Sequence, residues 1–283
     1  MKIIDVLQGS SEWKELRRNK ISATDSGIIL GLNPWVTPYQ LWQRKLGLIE
    51  EQEVNEKMRE GSLMEEEARE FLNRKYKWNL KPAVIESIEY PFLMASLDGM
   101  NLHTTVEIKC GKSSYELALK HEIPPYYYSQ LQHQMLVTNR PVIDYFSYRS
   151  DEDNVFWTVD RDDAFIEKMI EAEKKFYECL MNFTAPELTV RDYEFRNDAE
   201  FFWAATEYKE AKSDREELED REAALRDKLI LLSGDRPCKG SGLTISKSVR
   251  KGNIDYSAIE ELKSIDLNKY RKKPIEVWTI RES

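Results

Sequence analysis

The sequence predicts an α/β protein in which a mixed central sheet is flanked by helices and followed by one long helix and a small β-rich segment. Three observations carry this prediction. Capped helical segments fill the N-terminal third, the middle changes to strand periodicity, and apolar residues from 201 to 232 recur near heptad spacing. We expect two domains, over residues 1–185 and 186–283.

Capping residues indicate where the helices of the N-terminal third begin. Each of the first three helices can begin at a hydroxyl side chain, at Ser10 or Ser11, at Ser22 or Thr24, and at Thr37. Gly31 and Gly47 suit the ends of the second and third helices, and Pro38 suits the first turn of the third. The expected helices therefore run to about residue 19, to residue 31 and to residue 47, and a longer one covers about 54–76.

The middle of the chain alternates strands with helices. Five strands are expected, over residues 83–89, 92–98, 104–110, 143–149 and 155–159. Asp98 and Gly99 should open the turn between the second and third strands. Four further helices are expected, over residues 113–121, 126–138, 162–182 and 198–232.

Composition narrows the class of protein. The 283 residues carry a net charge of −9, and an acidic balance taken alone argues against a protein that coats nucleic acid. No apolar run reaches the ~20 residues of a membrane span, and the N-terminus has no apolar signal core. Three cysteines are too few for a disulfide scaffold, which indicates a reducing cytoplasm.

The motifs SLDG and VEIKC carry the clearest chemistry. Because side chains alternate along a strand, Glu107 and Lys109 face one side while Ile108 faces the other. Hairpin pairing should bring Asp98 close to Glu107, so that two carboxylates and one ammonium meet. Mg²⁺ takes such carboxylates together with water and phosphate oxygens, and a neighbouring lysine can orient or deprotonate the attacking water. A surface salt bridge is the alternative that this short pattern leaves open.

Glu65 lies on the expected core-facing stripe of the long N-terminal helix. Gly61, Ala68 and Leu72 share that stripe, whereas Glu66 and Glu67 point elsewhere. A carboxylate at the edge of a packing face needs a partner, and a metal ion would serve. A solvated glutamate in the acidic run MEEEARE is the alternative.

Five motifs resemble a known family. QGSSEWKELRRNKISAT, GSLMEEEARE, SLDG, VEIKC and SQLQHQMLVT are similar, in this order and spacing, to the YqaJ-type viral recombinases. These are nucleases of the phage lambda exonuclease group within the PD-(D/E)xK superfamily, and the resemblance covers about residues 5–183. It implies a restriction-endonuclease-like core in residues 1–185 and a 5′→3′ exonuclease on double-stranded DNA. Mg²⁺ would be the cofactor, with Mn²⁺ able to substitute.

The resemblance also implies roles for individual residues. Asp98 and Glu107 would bind metal together with the Ile108 carbonyl, and Lys109 would be the catalytic lysine. Glu65 would lie near a second metal or its waters. The family's glutamine matches Gln130, which would position the nucleophilic water; Gln134, one turn on, is a weaker match, and surface hydrogen bonds are the alternative for both.

A phosphate site is implied near the N-terminus. Arg17 matches the family's 5′-phosphate ligand, and a planar guanidinium binds phosphate through two parallel hydrogen bonds. Ser22 and Thr24 can add hydroxyl donors, and the helix that begins there offers free N–H groups. Simple helix capping is compatible with that role.

Other features leave alternatives open. The histidines and cysteines do not have the spacing of a zinc site, and three cysteines do not suffice for an iron–sulfur cluster. The sequence has no Walker loop, so ATP use is not expected. Tyr126, Tyr127 and Tyr128 can stack on bases or pack in the core. Trp35 can wedge near a duplex end, but the sequence favours a buried anchor. A basic group near the C-terminus can contact DNA phosphates or form a solvated face; it comprises Lys247, Arg250, Lys251, Lys269, Arg271, Lys272 and Lys273.

We therefore expect a phage- or prophage-encoded exonuclease of the bacterial cytoplasm that exposes 3′ tails at double-stranded DNA ends for recombination. The resemblance implies a ring-shaped homo-oligomer and a single-strand annealing protein as partner, with no membrane association. An endonuclease or structure-specific nuclease on the same core is one alternative. A catalytically silent DNA-binding or scaffold protein is another, against which the intact Asp98, Glu107 and Lys109 argue.

Overall fold

The structure, a computed structural model, describes residues 1–49, 56–234, 236–250 and, further on, residues 252, 253, 255, 258–260, 262, 265, 270 and 272. For residues 56–60 and 62 it describes the backbone alone. The chain folds as two compact units, Met1–Glu194 and Phe195–Ser283. This division falls after the predicted domain boundary at residue 185.

The first unit begins with short strands and capped helices. Its N-terminal elements are β1 (Lys2–Ile4), α1 (Ser11–Asn19), β2 (Ile21–Ser22), α2 (Ala23–Ile29), α3 (Pro38–Lys45) and α4 (Glu56–Tyr76). Ser10 caps α1 by accepting a 3.2 Å hydrogen bond from Trp13 N. Thr37 caps α3 in the same way, accepting from Gln40 N at 3.1 Å. The hydroxyl caps therefore begin these helices where the sequence predicts.

A seven-stranded mixed sheet forms the centre of this unit. The remaining elements are β3 (Lys81–Glu86), β4 (Leu93–Met100), β5 (Thr105–Lys109), α5 (Lys112–Ala118), α6 (Pro125–Thr138), β6 (Val142–Tyr148), β7 (Asn154–Asp160) and α7 (Asp163–Met181). The strand order is β1-β3-β4-β5-β6-β7, with β2 pairing alongside β4. Neighbouring strands are antiparallel except at β5–β6 and β2–β4, which are parallel. The predicted mixed sheet flanked by helices is thus confirmed.

The turn between β4 and β5 differs from the prediction. Asp98 and Gly99 lie inside β4, and Gly99 pairs with Val106 of β5. The turn follows at residues 101–104, where the Asn101 side-chain oxygen accepts hydrogen bonds from His103 N and Thr104 N. An asparagine that bonds the backbone two and three residues on makes a turn without glycine. Asp98 therefore projects from a paired strand.

Buried apolar side chains cover both faces of the sheet. Ala68 and Leu72 of α4 pack with Val106 and Ile108 of β5 in one buried cluster. Leu131 and Met135 of α6 pack with Tyr145 of β6 in another. Alternation along β5 therefore turns Ile108 toward α4, and Glu107 and Lys109 toward α6.

The second unit contains a long helix and a hairpin. Helix α8 (Ala199–Ser233) begins at Asp198, whose carboxylate accepts from Phe201 N at 3.0 Å, and ends at Gly234 with φ of 58°. Strands β8 (Cys238–Gly240) and β9 (Leu243–Ile245) pair antiparallel. This agrees with the predicted long helix and small β-rich segment, of which residues 273–283 lie outside the described residues.

Of the predicted basic group near the C-terminus, Lys247, Arg250 and Lys272 are described and exposed. The other members, Lys251, Lys269, Arg271 and Lys273, lie outside the described residues. Within the described part of the chain, none of the helices is long and apolar enough to cross a membrane.

Candidate active site

Three charged side chains meet where β4 and β5 run side by side. The Asp98 Oδ2 accepts a hydrogen bond from Ile108 N at 2.8 Å. On β5, Lys109 Nζ lies 2.5 Å from Glu107 Oε1, and the Glu107 side chain is only 2% exposed. The sheet thus brings together the two carboxylates and the ammonium that the sequence places there.

Two amides of α6 hold the Glu107 carboxylate from above the sheet. Gln130 Nε2 donates to Glu107 Oε1 at 2.5 Å, and Gln134 Nε2 donates to Glu107 Oε2 at 2.5 Å. Gln130 Oε1 also accepts from Lys109 Nζ at 3.3 Å. Residues four apart on a helix share a face, which is why both amides reach one carboxylate. Gln134, the weaker sequence match, contacts the site as directly as Gln130.

Helix α4 contributes a third carboxylate. Glu65 is half-buried on the stripe that includes the fully buried Ala68 and Leu72, as its spacing predicts. One turn on, Arg69 Nη1 donates to the Asp98 carbonyl oxygen at 3.0 Å. Burial raises the pKa of Glu65; Lys109 opposes this shift and Glu107 adds to it. Glu65 is therefore within electrostatic reach of the β5 residues.

The three acids repel one another. Burial, and then the charges of Glu107 and Glu65, hold the pKa of Asp98 well above its usual range. Burial disfavours the charged form of Lys109 and by itself would lower its pKa. The negative charges of Glu107 and Asp98 together have the larger effect, so the pKa of Lys109 is raised. Lys109 is accordingly a cation at neutral pH. Lys109 and Arg69 offset only part of the charge of the three acids, and the remaining negative charge suits a divalent cation.

The acids do not form a ready-made metal cage. Within the described residues, no three His, Cys, Asp or Glu side chains stand close enough together to hold a metal ion. At Glu107 both carboxylate oxygens already accept hydrogen bonds, from Gln130, Gln134 and Lys109. Oxygen donors and charge fit Mg²⁺, and binding would require these donors to release part of Glu107.

The predicted phosphate residues form a second cluster. Arg17 Nη2 donates to the Thr24 hydroxyl at 2.9 Å, and its guanidinium lies 4.6 Å from the centroid of the Trp13 ring. Thr24 is exposed, whereas Ser22 is buried and donates its hydroxyl proton to Asp25 Oδ2 at 2.8 Å. The structure thus presents Arg17 and Thr24 to solvent and commits Ser22 to an internal bond.

Sequence reasoning missed the buried residues beneath Arg17. Lys45 Nζ lies 2.8 Å from Asp25 Oδ2 and donates to the Arg17 carbonyl at 2.8 Å. Burial disfavours the charged form of Asp25 and by itself would raise its pKa. The positive charges of Lys45 and Arg17 together have the larger effect, so the pKa of Asp25 is lowered. The Ser22-x-x-Asp25 spacing is a capping signal that could have pointed to Asp25. Lys45, distant in sequence, gave no such signal.

A hydrogen bond connects the two clusters. Trp13 Nε1 donates to Ser96 Oγ at 2.9 Å, and Ser96 lies on β4 two residues before Asp98. The Ser96 carbonyl accepts from Gln134 Nε2 at 3.2 Å. Arg17 stacks on the same Trp13 ring, so the arginine and the carboxylates share one rigid support.

Comparison with known proteins shows what these residues are similar to. Residues 12–141 match the model of the YqaJ-like viral recombinase domain. This part of the chain, less than half of its length, is therefore similar to that domain. Protein YqaJ of Bacillus subtilis (strain 168) is 34% identical over 177 residues, which is 59% of this chain and 54% of that protein. The chain therefore matches about half the length of this relative.

Solved structures share the fold of the YqaJ-like domain. Alkaline exonuclease LHK-Exo from Laribacter hongkongensis superposes with a TM-score of 0.53 at 23% identity, over 62% of this chain and 94% of that chain. LHK-Exo in complex with dAMP gives a TM-score of 0.54 with the same identity and coverage. The YqaJ-like match spans every predicted site residue, from Arg17 to Gln130.

Proposed function

We propose that this protein is a metal-dependent nuclease that degrades double-stranded DNA from its 5′ ends. The observation that carries the proposal is the meeting of Asp98, Glu107 and Lys109 under the amides of Gln130 and Gln134, inside a YqaJ-like domain. Two carboxylates can hold a metal ion that assists phosphodiester hydrolysis, and a lysine can offset charge in the transition state.

Asp98, Glu107, the Ile108 carbonyl and Glu65 would hold the Mg²⁺ in this proposal. The ion, when bound, polarises the phosphate and lowers the pKa of the attacking water. Asp98 Oδ2 is held by Ile108 N, so this carboxylate has a fixed orientation toward β5. Mn²⁺ should substitute because it accepts the same oxygen ligands.

Lys109 acts as a cation in this proposal. Its raised pKa argues against proton abstraction in the metal-free arrangement and favours a role in neutralising charge on the transition-state phosphate. Gln130, which contacts both Lys109 and Glu107, is placed to orient the attacking water. These roles need no proton to leave the lysine.

Arg17 and Thr24 would bind the terminal 5′ phosphate and so give the enzyme its polarity. Arg17 is 31% exposed and has a guanidinium edge already paired with the Thr24 hydroxyl. A phosphate can replace or bridge that contact through charge-assisted hydrogen bonds. The products would be 3′ tails, available to a single-strand annealing protein, and a ring-shaped homo-oligomer would keep the enzyme on its duplex.

The first test compares linear duplexes labelled at the 3′ end of one strand, with and without the 5′ phosphate on that strand, in Mg²⁺. We expect stepwise loss from 5′-phosphorylated ends, and Arg17→Ala should reduce the preference for phosphate about tenfold or more. Arg18→Ala is the matched control, since Arg18 is exposed and pairs only with Glu15 at 3.6 Å among the described residues. Equal digestion of closed circular duplex would favour an endonuclease instead.

Lys109→Ala tests the site itself. Loss of the transition-state cation should lower the cleavage rate about 100-fold or more. Lys112→Ala should leave it unchanged, because the Lys112 side chain is 77% exposed and pairs with Glu116 on α5. Undiminished cleavage by Lys109→Ala would refute the assignment, and a wild-type protein that binds DNA without cleaving it would indicate a scaffold role.

A further inference from the structure

An exposed tryptophan stands at the end of a run of aromatic rings that reaches the candidate active site. The Trp35 side chain is 69% exposed, although the sequence favoured a buried anchor. Its ring meets Tyr126 edge-on at a centroid distance of 5.3 Å, and Tyr126 lies 4.4 Å from Tyr127. Lys109 Nζ lies 4.4 Å from the centre of the Tyr127 ring. Three rings therefore lead from solvent to the Lys109 ammonium.

The loop that carries Trp35 is held in place by hydrogen bonds. The Asn33 side-chain oxygen accepts from Trp35 N and from Val36 N, each at 2.9 Å. Arg191 Nη1 donates to the Pro34 carbonyl at 2.9 Å, and Asn33 N donates to the Gly27 carbonyl at 2.9 Å. These bonds fix the loop, so the Trp35 ring is presented to solvent from a defined position.

Close packing of two helices places the middle ring. A Cβ atom added to Gly27 would lie 3.0 Å from both Ser129 Oγ and Tyr126 Cβ. The glycine lets α2 approach the start of α6, and this approach puts Tyr126 between Trp35 and Tyr127. The ring positions are therefore set by the core of the unit and do not depend on a flexible tip.

We propose that Trp35, Tyr126 and Tyr127 form a stacking surface for unpaired nucleobases at the DNA strand end that enters the active site. This rests on the proposed nuclease function. Every base offers a π-face, so stacking on aromatic rings tolerates any sequence, as an enzyme that degrades along a strand requires. Tyr127 is next to Lys109 and would serve the nucleotide being cleaved, while Trp35 would hold a base further out and favour opening of the terminal pairs.

The test measures stacking without cleavage. Duplexes with two unpaired 5′-terminal nucleotides, one of them the fluorescent base 2-aminopurine, are titrated with full-length protein in EDTA. We expect quenching of the fluorescence on binding. Trp35→Ala should abolish most of the quenching and weaken binding of the frayed duplex about tenfold, while Trp35→Phe should retain most of both. Either substitution should change the binding of a fully paired duplex less than that of the frayed duplex.

Trp203→Ala is the matched control. Trp203 is another exposed tryptophan, 64% accessible and located on α8, and its loss should change neither quenching nor affinity. Unchanged quenching and affinity in Trp35→Ala would overturn the proposal. So would a change in the molecular mass of the Trp35→Ala assembly in solution, which would identify Trp35 as a subunit contact.

The experiments distinguish an error in the proposed stacking surface from an error in the proposed nuclease function. If wild-type protein quenches 2-aminopurine in EDTA but does not degrade duplex in Mg²⁺, the proposed function is wrong and the stacking surface stands. If it degrades duplex and Trp35→Ala neither quenches less nor binds less tightly than wild type, the nuclease stands and the stacking surface is wrong.

Discussion

At the scale of single residues, the acidic side chains of the candidate site repel one another. Asp98, Glu107 and Glu65 share one partly buried region, where the charge of Lys109 opposes their repulsion and that of Arg69 opposes it at Glu65. Like charges that are held together destabilise the fold unless a cation joins them. The residues proposed for catalysis should therefore lower the stability of the metal-free protein.

Asp98→Asn tests this expectation. The amide oxygen can still accept from Ile108 N, but the negative charge is gone, so the free energy of unfolding in EDTA should rise by about 1 kcal/mol. Cleavage in Mg²⁺ should be lost. Denaturant unfolding measures the first effect, with Asp160→Asn, an exposed residue at the end of β7, as control. A destabilised Asp98→Asn protein would show that the carboxylate is structural.

The residues of the site differ in how far sequence could reveal them. Strand alternation predicts that Glu107 and Lys109 share a face, and helix spacing predicts the position of Glu65. The contacts of Ser96 with Trp13 and of Lys45 with Asp25 join elements far apart in the chain. Periodicity carries only local information, so such pairs become visible only in the folded protein.

At the scale of elements, α6 serves both the site and the core. Its Gln130 and Gln134 hold Glu107, while His133 turns the other way and is fully buried. His133 Nδ1 lies 2.7 Å from Glu173 Oε1 on α7, and Nε2 lies 3.0 Å from the Met94 carbonyl on β4. Because both neighbours are acceptors, both ring nitrogens carry protons and His133 is an imidazolium.

This buried pair predicts a pH dependence. Burial works against the charge on His133, but Glu173 outweighs it and raises the His133 pKa above 6.5, with the Met94 carbonyl and Asp25 adding to the shift. The stabilisation is complete below pH 6.5 and is lost as the pH rises through the raised pKa. The free energy of unfolding should fall over that range, and His133→Gln should flatten the curve. The exposed His103→Gln is the control.

His133→Ala should be strongly destabilising. It leaves Glu173 buried without its cation, which costs about 3–5 kcal/mol. Lys174→Ala on the same helix breaks an exposed pair with Glu171 and a contact with the Tyr90 ring, and should cost less than about 1 kcal/mol. Similar costs for both substitutions, measured by chemical denaturation, would contradict the proposed ion pair.

Elements were predicted well where they are long and poorly where they are short. Helices α6 and α7 lie close to their predicted bounds because α6 begins at the Pro124-Pro125 pair and α7 begins after its Asp162 cap. Strands β1 and β2 have three and two residues, too few to show alternation, so periodicity predicts neither of them. The Asp98-Gly99 pair suggested a turn because it suits one, but pairing with Val106 keeps it in β4.

At the scale of the whole molecule, the two units differ in how they are stabilised. The three buried clusters lie in residues 1–194, whereas α8 has no buried side chain among its described residues. Composition alone could not show this difference, because apolar residues are frequent in both parts. The first unit should therefore fold independently.

Two truncations test this division. A chain that ends at Glu194 should unfold cooperatively within about 2 °C of the full chain. A chain that ends at residue 185 loses Arg191 and Asp192, which bond Pro34 and Thr37, and should melt about 4 °C lower. Calorimetry measures both midpoints. Equal midpoints would favour the earlier boundary, and failure of the longer chain to fold would show that it needs the second unit.

The close approach at Gly27 also limits how this protein can change over evolution. Any side chain at position 27 must push on Ser129 or Tyr126, and α6 would move outward with the two glutamines that hold Glu107. A relative with a larger residue at the equivalent of position 27 is expected to carry a smaller one opposite it. One hydrogen atom on α2 thus keeps the helix of the active site within reach of its carboxylate.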